Sequence, residues 1–255
     1  MSARDHGVAW QGEQLVEDFL RDRQRLLPLI DVQEALIETA LRRHGGEVRR
    51  FLDVGAGDGA MSALVRRVLP GAEAVLLDYS EPMLSRAGHR LGAPGPGRWQ
   101  PVRGDLREPG WSEALPEGPY DLAISSYAIH HLPGERKAAL YGEVFDLLAP
   151  GSLFVNLDFV LTDGPLAGLF DEQMAANAVA LEHEHGGSRS DEEVEREILA
   201  DDSDDQPDSA EDQLRWLREA GFEPVELLFK WAEAAIFGAV KPASASAPRR
   251  GESQR

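Results

Sequence analysis

Residues 50 to 160 predict an α/β domain, doubly wound around a mostly parallel sheet. Short apolar runs, RFLDV, AVLLD, PVRGD, YDLAISS and SLFVNLDFV, alternate there with helical patterns, as strands joined by crossover helices do. The first run opens directly into a glycine loop and then a helical pattern, FLDVGAGDGAMSALVRRVL, which places backbone N–H groups above the strand ends. A chain of 255 residues with 42% hydrophobic content is long enough for one such domain with an insertion.

The elements follow in order. Leu15, Phe19, Leu26 and Leu27 recur at helical spacing until Pro28, and Val32, Leu36, Ile37, Ala40 and Leu41 repeat the pattern, so residues 1–46 read as a cap of two helices. Asp31 with Glu34 predicts a capping box for the second, and Arg42, Arg43 and Gly45 suit its end. Residues 47–161 hold the five strands of the core. Residues 162–212 lose that rhythm to an acidic, mostly helical stretch, read as an insertion or lid after the fifth strand. Residues 213–241 supply a closing helix ending at Gly221 and two β-like runs, PVELLFKW and AAIFGAVK, an antiparallel pair at the sheet edge. Residues 242–255 are polar and rich in Pro and Ser, and read as disordered.

Composition narrows the partners. A formal net charge of −19 repels phosphates, which argues against nucleic acid and anionic membranes. Without cysteine there is no thiolate nucleophile, disulfide or Cys-based zinc site. The opening MSARDHGVAW lacks a signal-peptide core, and no run approaches the roughly 20 apolar residues of a membrane span. A cytoplasmic chain acting on a small molecule is the expectation.

The loop chemistry sharpens it. Gly55, Gly57 and Ala60 satisfy the dinucleotide pattern G-x-G-x-x-A, with Asp78 about 20 residues further on. Asp53 and Asp58 would bring negative charge toward a pyrophosphate, so a ligand carrying positive charge suits the loop better. No Gly-Lys-Ser/Thr follows, which excludes a P-loop.

Asp53 followed by Gly55, Gly57 and Gly59 resembles the first motif of the class I S-adenosylmethionine (SAM)-dependent methyltransferases, and later motifs continue the resemblance from about residue 48 to 160. It implies a Rossmann-like, seven-stranded sheet, mostly parallel with an antiparallel last strand, and SAM as cofactor. Asp53 would then support the amino-acid end of SAM, and Asp78 would accept from both ribose hydroxyls. Tyr79 and Met83 would flank the adenine, Asp105 would accept from its amino group beside the Leu106 N–H, and Ser125 would border the methyl group with Ser126 and Tyr127. Ser80 reads as the N-cap of the next helix. Trp10 and Phe19 would belong to a cap over the cofactor.

Methyl transfer from a sulfonium needs mainly alignment, with a base only where the acceptor must lose a proton. His130 and His131 follow the fourth strand and are the catalytic candidates, with Asn156 and Asp158 on the fifth strand as further acceptor-side residues. DLAISS lacks the Asn/Asp-Pro-Pro-aromatic signature typical of base-amine methylation, and a pyrimidine-carbon mechanism would need a cysteine. The predicted reaction is therefore methylation of a small molecule, at oxygen, nitrogen or carbon. No metal is expected: His183 and His185 point to opposite helix faces, and DDSDD lacks the features of a calcium loop. Three other readings stay open: an NAD-dependent oxidoreductase, a non-catalytic SAM-binding scaffold dimerising through the insertion, and SAM chemistry other than methylation. A homodimer is compatible with each.

Overall fold

The computed structural model describes residues 27–44, 47–199 and 205–243. The first predicted helix with Trp10, Leu15 and Phe19, the Gly45 stop, most of the DDSDD run and the tail from residue 244 lie outside these residues.

The apolar runs become strands: β1 (Arg50–Val54), β2 (Glu73–Asp78), β3 (Trp99–Arg103), β4 (Tyr120–Ser126) and β5 (Leu148–Phe159), with β3 starting two residues before PVRGD and β5 four before SLFVNLDFV. Their near-continuous apolar character reflects burial on both faces. Leu52, Val54, Val75 and Leu77 pack on one side of the sheet, and Phe51, Ala74, Leu76, Leu122 and Ile124 on the other. Helices α4 (Gly134–Leu147) and α7 (Ala210–Glu219) cover the first side through Leu140, Val144 and Leu217. The second side receives α1 (Ile30–His44), α2 (Ala60–Val68) and α3 (Glu81–Leu91).

The sheet order is β3-β2-β1-β4-β5-β7-β6, with β6 (Val225–Trp231) at the edge and β7 (Ala234–Val240) inserted beside β5. β7 runs antiparallel to both neighbours and the rest pair parallel, as expected of the last strand. The order reverses at β1, between β2 and β4. Ligands of open α/β sheets bind in the crevice at such a switch point.

Two local expectations are corrected. Helix α1 starts at Ile30, so Asp31 sits in its first turn instead of capping it, and Glu34 reaches Arg67 on α2 at 3.3 Å. The face α1 buries carries Ile30, Gln33, Ile37 and Leu41, while Val32 is exposed. Gln33 is tolerated inside because its amide donates to Pro28 O at 3.0 Å and accepts from the Tyr127 hydroxyl at 2.7 Å.

The segment between β5 and α7 carries α5 (Leu169–Glu184) and α6 (Asp191–Ile198). The start of α5 is tied to the β6–β7 turn, where Glu233 accepts from Gly168 N and Phe170 N at 2.8 and 2.9 Å. Phe170 is fully buried with Leu27, Ile30 and Ala234. The segment returns past residues 205–208: Gln206 N donates to His130 O at 2.9 Å and Leu161 N to Asp208 O at 3.0 Å. Lys137, itself fully buried, pairs with Asp208 at 2.6 Å and donates to Gln206 O. Among the described residues no helix is long and apolar enough to cross a membrane.

Candidate active site

The crevice is built from the C-terminal ends of β1, β2 and β4. Beyond β1 the chain turns sharply, with Gly55 N and Ala56 N both donating to Leu77 O at 2.9 Å. Gly55, Gly57 and Gly59 all adopt positive φ, but their surroundings differ. A Cβ on Gly55 would lie 2.3 Å from the Ala128 Cβ, and one on Gly59 would press on Leu91, Ala87 and Leu76. Only Gly57 faces open space. Gly55 and Gly59 thus make room for neighbouring protein atoms, and a side chain at Gly57 would enter open space.

The three acidic residues near the loop also separate. Asp58 accepts from Ala60 N at 3.2 Å and pairs with Arg90 of α3, so its charge is neutralised within the protein instead of facing a ligand. Asp53 is completely buried beneath the loop; the Ser62 hydroxyl donates to its Oδ2 at 2.6 Å, and its Oδ1 has no hydrogen-bond partner. Burial, reinforced by the charge of Asp78, pushes its pKa up to about 7 against the Ser62 hydrogen bond. Asp78, also buried, accepts from Gly57 N at 2.8 Å and from Ser80 N at 2.7 Å. Burial raises its pKa despite these backbone donors. Ser80 caps α3, its side chain accepting from Met83 N.

On the β3 side, Met83 and Leu106 are buried apolar walls. The Arg107 guanidinium grips Asp105 at 2.6 Å and lies 5.5 Å from the centre of the Tyr79 ring. Burial alone would raise the Asp105 pKa; Arg107 outweighs it and holds the carboxyl below its usual range. On the β4 side, Ser125 donates to Val54 O at 2.8 Å, while the buried Ser126 hydroxyl has no hydrogen-bond partner. Tyr127 has φ 51, a left-handed conformation rare for a bulky residue and frequent at functional sites.

The histidines occupy a short 3-10 turn, Ile129–His131. His130 is buried, with Nδ1 2.6 Å from Asp158 Oδ1 and Nε2 3.3 Å from Asp205 Oδ1. Burial alone would lower its pKa, but Asp158 first and Asp205 second reverse this and raise it to about 9. His131 is partly exposed, with Nδ1 2.9 Å from the same Asp205 oxygen. Asp205 is held well below the usual carboxylate range by the two rings, against its own burial. Asn156 is fully buried and donates to the Tyr141 hydroxyl at 3.3 Å, which places it in the core. His183 pairs with Asp191 on the surface at 2.7 Å, and His185 caps the end of α5.

The structure thus gathers the loop, Asp53, Asp78 and Ser125 around one switch point, and the histidines with Asp158 at the neighbouring strand ends. Arg107, Arg90, Lys137 and Asp205 went unread in the sequence. Arg107 had a local signal, two residues from Asp105; Asp205 had none, since it stands in an acidic run and 74 positions beyond His131.

A methyltransferase-domain family model matches residues 52–154. The chain is 31% identical over 111 residues to a demethylmenaquinone methyltransferase of Thermus thermophilus, covering 44% of this chain and 47% of that protein. It thus spans about half the length of that relative. A carboxy-S-adenosyl-L-methionine synthase of Aeromonas hydrophila is 25% identical over 240 residues, covering 92% of this chain and 90% of that one. Among solved structures, human N-acetylserotonin methyltransferase in complex with SAM superposes with a TM-score of 0.61 at 16% identity, over 95% of this chain and 60% of that one. The sheet order and the loop geometry agree with the matched region: residues 52–154 match a methyltransferase domain, and the chain is similar to SAM-dependent methyltransferases in sequence and in fold.

Proposed function

We propose that the crevice binds SAM and that the chain transfers its methyl group to a small-molecule acceptor. The observation that carries this reading is the open face of Gly57 beside two buried carboxylates, Asp53 and Asp78, neither of which has a lysine or arginine partner among the described residues. Such a cradle repels a pyrophosphate and suits an ammonium and two ribose hydroxyls. It therefore disfavours NAD.

In this reading Asp53 supports the ammonium end through the loop and Asp78 accepts from the ribose. Tyr79 and Met83 flank the adenine, whose edge meets Leu106 and Asp105. Arg107 must yield Asp105 for that last contact. Bound SAM supplies an activated methyl group with a neutral leaving group. Ser125, Ser126 and Tyr127 line the approach of the acceptor. With no ion beside it, His130 carries a proton at neutral pH between its carboxylates and so acts through charge. His131 is then the group placed to receive a proton from an acceptor that must lose one. A cytoplasmic location belongs to the reading, and a homodimer would use the exposed edge of β6 with Leu227 and Leu228.

A second reaction on the same cofactor is favoured by one observation: similarity to the carboxy-SAM synthase runs through 92% of the chain, against 44% for the Thermus methyltransferase. Calorimetric titration of the ligand-free chain with SAM, S-adenosylhomocysteine and NAD tests the cofactor. Binding of the first two and not the third is expected, weakened by roughly 1–3 kcal/mol in Asp78→Ala. Binding of NAD alone would overturn the reading. Mass spectrometry of turnover mixtures separates a methylated acceptor from a carboxylated cofactor.

A further inference from the structure

We propose that His130 Nε2, His131 Nδ1 and Asp205 Oδ1 form a three-ligand site for a divalent transition-metal ion of the zinc class, with one coordination position open. The three ligand atoms lie within 4.8 Å of one another. Ligands about 2.0–2.1 Å from a tetrahedral zinc stand roughly 3.3 Å apart. Asp205 Oδ1 lies 3.3 Å from His130 Nε2, the length of such an edge, and 2.9 Å from His131 Nδ1, a shorter separation that a bound ion would widen.

The alignment of these atoms points the same way. His131 Nδ1 and Asp205 Oδ1 are both buried, and neither makes a hydrogen bond despite their 2.9 Å separation. Buried polar atoms rarely go unsatisfied without an ion or a water between them.

The surrounding shell has the form that metal-binding histidines require. Asp158, fully buried, lies against His130 Nδ1 at 2.6 Å, the outer carboxylate contact that fixes the ring and directs the opposite nitrogen to a metal. The 205–208 segment is fastened to the turn that bears the histidines: Gln206 N donates to His130 O, the Gln206 amide to His131 O at 3.3 Å, and Lys137 grips Gln206 O and Asp208. Asp205 is thereby held in register with both rings. Two carboxylates around one imidazole call for positive charge at that point, which a ring proton or a metal ion supplies.

Donor type selects the ion. Two imidazole nitrogens and one carboxylate suit zinc, cobalt, nickel or ferrous iron, whereas calcium and magnesium take sets built from oxygen alone. Side-chain exposure marks the open position: His130 is 4% exposed, but His131 and Asp205 are 29% and 31% exposed, so the cluster opens on one side only. On the reading of the cofactor site given above, an anionic oxygen of the acceptor would take that position, with its pKa lowered by the metal.

The test titrates the full chain, stripped with chelator and dialysed, with zinc chloride by calorimetry and with cobalt(II) by visible absorption. One equivalent of zinc and the intense ligand-field bands of tetrahedral cobalt are expected. His131→Ala and Asp205→Asn should each weaken zinc at least about 100-fold and abolish the bands, and Asp158→Asn should weaken it about 10–100-fold. Thermal unfolding of each variant verifies that it is folded, and SAM titration of the same preparations reads the cofactor site separately. No stoichiometric zinc binding by the folded wild-type chain overturns the proposal, as does binding undiminished in both His131→Ala and Asp205→Asn. Zinc binding without SAM binding upholds the metal site and overturns the cofactor reading instead.

Discussion

Asp53 lies under the glycine loop with one carboxylate oxygen held by Ser62 and the other without a hydrogen bond. Its pKa in the folded chain is about 7, raised from 3.8 chiefly by burial. Between those two values the folded state binds more protons than the unfolded one, so the stability that protonated Asp53 contributes is complete below about pH 4 and lost as pH rises through 7. Asp53→Asn should therefore gain on wild type on the order of 1–4 kcal/mol at pH 8 and little at pH 4, measured by urea unfolding at both values. A cationic ligand end near Asp53 favours its ionised form. Binding of SAM at pH 7 should then release a fraction of a proton, seen as a dependence of the calorimetric heat on buffer ionisation enthalpy, and absent in the Asn variant. The sequence displayed this residue plainly at the end of an apolar run, but not which of its neighbours would neutralise it: Asp58 looked equivalent until Arg90, 32 positions away, was found against it.

At the scale of elements, the β1–α2 turn divides its glycines between packing and access. Gly55→Ala would overlap Ala128 in a left-handed conformation, and should lose roughly 2–4 kcal/mol of stability. Gly57→Ala meets no atom within 4 Å, so its stability loss should stay near about 1 kcal/mol while SAM affinity falls. Thermal melts paired with SAM titrations distinguish the two, and equal stability losses would refute the division. Element positions themselves were legible because strands buried on both faces must be short and apolar, as RFLDV and YDLAISS show by becoming β1 and β4 without adjustment. The start of α1 was less so: Asp31 has the chemistry of a cap, yet Ile30 is drawn into the helix by burial against Phe170 and Ala234. Tertiary packing decided a boundary that local signals placed two residues later.

For the whole molecule, a net charge of −19 creates a field that attracts cations to the crevice. SAM carries net positive charge at neutral pH and S-adenosylhomocysteine does not. Raising salt from about 0.05 to about 0.5 M should weaken SAM several-fold and leave the homocysteine product nearly unaffected, as calorimetry in graded sodium chloride would read. Equal salt dependence of the two would refute a field effect.

The two halves of the site also differ in how much chain each needs. Asp53, Gly57, Asp78 and Asp105 lie within 53 consecutive residues, whereas the histidine pair meets Asp205 only after the chain has passed through α5 and α6 and been clasped by Lys137. During synthesis from the N-terminus, the sequence for the cofactor cradle emerges well before the last member of the histidine cluster. The same separation leaves evolution two independent handles: exchanging the stretch between β5 and α7 would rebuild the proposed acceptor side while the loop and its carboxylates stayed as they are.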